Sequence, residues 1–106
     1  MNKEIRNLIE EEIYPMIITP IEKYIKPKMT IAEKVVAKQN VFLQIREMLR
    51  GTQIVTNLSI NEICDTIKGI MKKMEKVHEG CTLQYELVTE ILDEIEKQYE
   101  EEEKTI

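Results

Sequence analysis

Along residues 60–77 the apolar positions Ile60, Ile63, Ile67, Ile70, Met74 and Val77 recur at intervals of 3-4-3-4-3, with Cys64 and Met71 widening the stripe. A period close to 3.5 is one face of a helix, and it predicts a helix over 60–79. The same rhythm runs through Ile31, Val35, Lys38, Phe42, Ile45 and Leu49, and again through Val88, Leu92, Ile95 and Tyr99 with Leu87 and Ile91 beside them. Two shorter runs precede these, Ile5, Leu8, Ile9 and Ile13, then Ile21, Tyr24 and Ile25. The pattern predicts five helices at about 2–14, 20–26, 31–50, 60–79 and 82–102.

Local punctuation sharpens these limits. A capping box, in which a Ser or Thr accepts from the first-turn backbone and a Glu three residues on reaches back, occurs at Thr19–Glu22, Thr30–Glu33 and Ser59–Glu62. Pro20 adds a proline at a first helical position. Pro15 and Pro27 are expected to end the first two helices, and Gly51 and Gly80 to terminate the long ones. Thr52–Leu58, rich in β-branched residues, reads as an extended connector tucking Ile54, Val55 and Leu58 against the bundle.

Three long helices of common period pack best as an antiparallel bundle crossing at about 20°. The fold class is therefore all-α, a small four- or five-helix antiparallel bundle with two short N-terminal helices and three long ones. One domain covers 1–106, with an acidic, frayed tail expected at 100–106. The 31–50 segment carries a second apolar face, Ala32, Val36 and Leu43. It is therefore expected to be central, with the N-terminal helices covering that side and any remainder forming an interface.

Composition agrees with helices. Three glycines, three prolines and 5% aromatics among 42% hydrophobic and 33% charged residues disfavour both a barrel and full disorder. Seventeen isoleucines against seven leucines fit an A/T-rich coding source, such as a low-GC bacterium, its phages or an archaeal virus. No run approaches the roughly 20 apolar residues of a membrane span, and a signal-peptide core is lacking at the N-terminus. The expectation is a cytoplasmic protein, in the host cytoplasm if viral, without membrane attachment and with Cys64 and Cys81 as free thiols.

The net charge of −5 is unevenly placed. From Glu86 onward nine acids face only Lys97 and Lys104, a balance of −7, which leaves 13 bases and 11 acids, or +2, on residues 1–85. The last helix thus joins an apolar stripe to dense carboxylates. Glu86, Glu90, Asp93, Glu94 and Tyr99 are its candidate partner-binding residues.

Candidate chemistry is sparse. Glu62/Asp65 and Glu90/Asp93 repeat a Glu-x-x-Asp spacing on two helices expected to form a hairpin. Four such carboxylates suit a magnesium ion. The spacing resembles the MazG-type all-α nucleotide pyrophosphohydrolases, which use acidic pairs on adjacent helices, and the resemblance would imply a magnesium-dependent hydrolase acting through these four residues. A helical wheel turns all four away from the apolar faces, however, and a cage inside a bundle needs them inward. Leu58–Gly69 has the flavour of a helix-turn-helix, yet Asp65 and Lys68 stand where that motif wants a small and a buried residue.

Lys68, Lys72, Lys73 and Lys76 make a candidate anion-binding face. A hairpin turning near Gly80 would bring Lys73 and Lys76 to Glu86 and Glu90, so internal pairing is the simpler expectation. With pI near 5.0 and few aromatics, the chain lacks the usual footprint of direct nucleic-acid binding, which stands as the alternative use of those lysines. His78 and Cys81 are too few for a zinc site. Lys38 falls inside an apolar seam and is expected to snorkel to the bundle edge or pair. No catalytic, cofactor-binding or metal residue is assigned. The expected function is a non-enzymatic interaction module: a small regulator, adaptor or inhibitor, of a kind that would suit a phage or mobile element. It would bind a protein partner through the acidic helix 82–102, the partner being basic or one that handles nucleic acid. A homodimer is expected, built on the seams of 60–79 and 82–102.

Overall fold

The computed structural model describes residues 2–75 and 82–104, and these form four helices without a strand. The first, α1, runs Lys3–Leu8, widens into a π-helical stretch at Ile9–Ile13 and continues over Tyr14–Tyr24. Then come α2 (Ile31–Thr56), α3 (Ile60–Glu75) and α4 (Thr82–Lys104). Residues 76–79 of the expected 60–79 helix, the stop at Gly80, and Lys76, His78 and Cys81 lie outside the described residues.

The expected break at Pro15 is not there. A proline removes its own N–H and crowds the carbonyl one turn back. The chain absorbs this by widening the turn just before it, where the Tyr14 N–H reaches five residues back to the Ile9 carbonyl. The widened turn also serves packing, because the buried positions Ile9, Tyr14, Ile17 and Ile21 are spaced 5-3-4, and only a π turn keeps the first in line with the rest. Thr19 is accordingly no helix start. Its hydroxyl donates to the Pro15 carbonyl within the helix, at 2.8 Å, and Pro20 is buried inside the same helix.

Of the other two capping boxes, the one at Thr30 closes and the one at Ser59 forms its serine half. At Thr30 the side chain accepts from the Glu33 N–H at 3.1 Å while the Glu33 carboxylate takes the Thr30 N–H. At Ser59 the hydroxyl accepts from the Glu62 N–H and donates to the Glu62 carboxylate. Past Gly51 the expected stop fails: α2 runs on to Thr56 and ends at Asn57 in the left-handed region, φ 59°. The reason lies in the seam, which continues as Ile45, Leu49, Thr52 and Thr56. The two threonines are buried because each hydroxyl donates to a carbonyl one turn back, Thr52 to Met48 and Thr56 to Thr52. Residues 52–56 are therefore helical, and Ile54 and Val55 face outward at 80% and 75% exposure instead of tucking in. Leu58 alone of that trio packs on the core.

The central helix is α3, not the 31–50 segment. It packs against α1, α2 and α4, and its wide stripe of Ile60, Ile63, Cys64, Ile67, Ile70 and Met71 is buried on all these sides. Ile9 and Ile17 of α1, Val41, Ile45 and Leu49 of α2, and Val88, Ile91, Leu92 and Ile95 of α4 complete the core. The three-residue link at 57–59 makes α2 and α3 antiparallel neighbours. In α4 the helix continues to Lys104, and the last two residues of the tail at 100–106 lie outside the described residues. Extents of 40 × 38 × 17 Å describe a slab two helices thick. At about 1.5 Å per residue, the 26 residues of α2 span its whole length. A slab covers fewer faces than a round bundle does, and α2 is where this shows.

Candidate functional site

The carboxylates of α4 divide between internal partners and solvent. Glu90 takes an ion pair from Lys38 of α2, Glu102 one from Arg46 of α2 at 3.4 Å, and Asp93 and Glu96 both engage Lys68 of α3, the latter at 2.9 Å. The order Lys38–Glu90, Arg46–Glu102 shows that α2 and α4 run parallel on either side of α3, bridged by long side chains. Glu86, Glu94 and Glu100 stay exposed, with no ion pair among the described residues.

Lys68 does not face outward with the other lysines. Its side chain is 25% exposed, lies between α3 and α4, and reaches two carboxylates. Burial works against its charge, but the hydrogen bonds to Asp93 and Glu96 and their negative charges outweigh it and hold the ammonium above its usual pKa. Charge pairing across this hairpin thus runs through Lys68 and not through Lys73, which is exposed like Lys72 and has no ion pair among the described residues. Beneath Lys68, one turn away, the free thiol of Cys64 is buried, and burial above all pushes its pKa up to about 12, with the Glu96 carboxylate adding to the effect. A thiol so protected from ionisation is a packing group.

The four carboxylates of the pyrophosphohydrolase resemblance do not converge. Glu62 is held in its own cap, Asp65 is exposed, Glu90 goes to α2 and Asp93 to Lys68. Among the described residues no three His, Cys, Asp or Glu side chains are grouped to hold a metal ion. The Leu58–Gly69 segment forms no helix-turn-helix, since α3 passes through Gly69 unbroken.

The apolar stripe of α4 is spent inside the molecule, with Val88, Ile91, Leu92 and Ile95 all at zero exposure. Tyr99 packs against the same core, and its hydroxyl is buried without a hydrogen-bond partner among the described residues. The stripe of α3 is closed from Ile60 to Met71 with Met74 half-buried, so among the described residues the two seams expected to carry a dimer pack within the chain.

Apart from Met16 on α1, the large apolar side chains left open among the described residues lie on α2. Its second face is uncovered: Val36 is 60% exposed, and Ala32 and Leu43 are exposed with it. Ile54, which the sequence pattern placed in a connector, extends that line. At its N-terminal end this face opens into a hollow of about 440 Å³ floored by Tyr24, Met29, Ala32 and Val36. A second opening, a groove of about 370 Å³, lies between α2 and α4 and is lined by Val35, Lys38, Gln39, Phe42, Glu94 and Gln98. The first seam positions, Ile31 and Val35, are 84% and 61% exposed beside it. The sequence held a signal for this in the second apolar stripe itself, Ala32, Val36 and Leu43, which the N-terminal helix leaves exposed. No helix among the described residues is long and apolar enough to cross a membrane. An all-α slab with ion-paired flanks and an uncovered helix face is the class this geometry defines. No family model, curated protein or solved structure matches the chain.

Proposed function

We propose that this protein is a non-enzymatic interaction module, a small regulator, adaptor or inhibitor that binds another protein. The observation that carries the reading is the uncovered second face of α2: Ala32, Val36, Leu43 and Ile54 on one regular helix, with a hollow at one end able to receive a side chain. Scattered exposed apolar residues are ordinary, but several along one face of a rigid helix mark a contact surface. The acidic helix keeps a part in this, reduced to charge. Among the described carboxylates of α4, Glu86, Glu94 and Glu100 are exposed to steer a basic partner, such as a protein that handles nucleic acid.

The test is a photo-crosslinking residue placed at Val36 or Ile54 in cells of origin. The expected result is a discrete adduct that Leu43→Glu abolishes while helicity and melting stay unchanged, and that the same probe at exposed Lys72 does not give. No adduct from either position, or adducts indifferent to Leu43→Glu, would remove the reading. Magnesium-dependent hydrolysis of nucleoside triphosphates that disappears in Asp93→Asn would replace it with the enzyme.

A further inference from the structure

The groove between α2 and α4 differs from the partner face in that both halves of a complementary pair are present on this one chain. One half is the groove: Val35 and Phe42 give it an apolar floor, and Glu94, exposed and without an ion pair among the described residues, stands on its α4 rim beside Gln98. The other half is the N-terminal end of α2 with the loop before it. Ile31 and Val35 project there, and Lys28 and Lys34 are exposed cations with no ion pair among the described residues. Lys23 and Lys26 are occupied nearby, Lys23 5.4 Å from the Tyr24 ring centre and Lys26 on the Glu22 carbonyl. Of the four lysines at 23, 26, 28 and 34, Lys28 and Lys34 are thus the ones left as available donors among the described residues.

Two such halves on one molecule satisfy each other in a twofold pair, where every contact is made twice. We propose that a second copy of this chain docks on the groove, with the N-terminal halves of the two α2 helices antiparallel and the twofold axis near Val35. In that register Val35 meets its own counterpart, Ile31 of one copy falls beside Gln39 of the other, and the loop carrying Lys28 comes over Phe42, bringing its ammonium to Glu94. The seam positions Ile31 and Val35, which the slab leaves open, and the half-buried Phe42 are then covered by their own repeat, as at the end of a coiled coil. Lys38 stays at the edge, held by Glu90. The second face of α2 points elsewhere on the helix and remains free for a partner.

Light scattering and sedimentation of the full chain over a concentration series test this directly. The expected result is a dimer whose dissociation constant rises at least about tenfold, or about 1.4 kcal/mol, in Val35→Glu and is unaffected by Leu43→Glu. Glu94→Lys and Lys28→Glu each weaken it, and the two together restore it, because the exchanged charges meet again across the interface. All these positions are exposed, so each variant keeps the melting profile of the parent under monomeric conditions. A chain that stays monomeric at every concentration overturns the proposal, as does a dimer indifferent to Val35→Glu or a double charge exchange that compounds the loss. A monomer that sediments with anionic phospholipid vesicles would give this basic, apolar end to a lipid surface instead.

Discussion

At Asn57 the chain leaves α2 through a left-handed residue, the one non-glycine with positive φ among the described residues. A side chain there costs about 1 kcal/mol or more unless it is Asn or Asp, whose short polar groups tolerate the region, or is absent altogether. Asn57→Ala is therefore expected to lower stability by about 1 kcal/mol and Asn57→Gly to preserve it, measured by urea unfolding. This residue also shows why one boundary was misread from sequence. Gly51 carried the stronger stop signal, but the tertiary seam continued through Thr52 and Thr56, and two self-satisfied hydroxyls let those threonines act as core residues. A second residue-scale expectation concerns pH. Cys64 titrates near 9.0 when unfolded and at about 12 when folded, so the folded state holds its proton longer and stability falls as pH rises from about 9 toward 12. Lys68, also raised, adds to the loss once pH passes 10.5. Thermal melts of the parent should begin to decline near pH 9, and Cys64→Ala should delay the decline to the lysine range.

Among the helices, the two internal glycines are informative for what does not surround them. An added Cβ at Gly51 or Gly69 would meet nothing within 4 Å, and both sit inside continuous helix. Neither turn nor close packing requires glycine there, and alanine in a helix interior is better by about 1 kcal/mol. Gly51→Ala and Gly69→Ala are each expected to stabilise by that amount, and nearly additively, since they lie on different helices. The hairpin of α3 and α4 makes the opposite demand on Lys68, the only described lysine of the 68–76 face with carboxylate partners. Lys68→Met is expected to cost about 1 kcal/mol, against no more than a few tenths for Lys72→Met or Lys73→Met, in equilibrium unfolding. The periodicity of α3 and α4 was fully legible, because every seam position described there is buried or packs on the core. The lysine that pairs was not, since a helical wheel separates inside from outside but cannot say which flank a neighbouring helix will occupy. In α1 the limit was different: proline signals are local, and a π turn that realigns Ile9 with Tyr14 and Ile17 is visible only once the partner helix is in place.

At the scale of the molecule, the slab makes α2 two different things along its length. Val41, Ile45 and Leu49 have zero exposure, while residues 31–36 are exposed throughout. Local opening is governed by the apolar contacts that an opened segment gives up, and residues 34–38 give up few. Their amides are hydrogen-bonded in the same helix as those of 41–49, yet they should exchange with solvent far faster, at rates set by local fraying and not by global unfolding. Packing the two N-terminal halves together in a dimer would alter this selectively. Raising the protein concentration should slow exchange at 34–38 while leaving the already protected 41–49 unchanged, and Val35→Glu should return those amides to the fast rates of the dilute protein. A partner bound across Leu43 and Ile54 would instead slow exchange in the later turns of α2, so hydrogen exchange along this one helix separates the two surfaces that the fold leaves open.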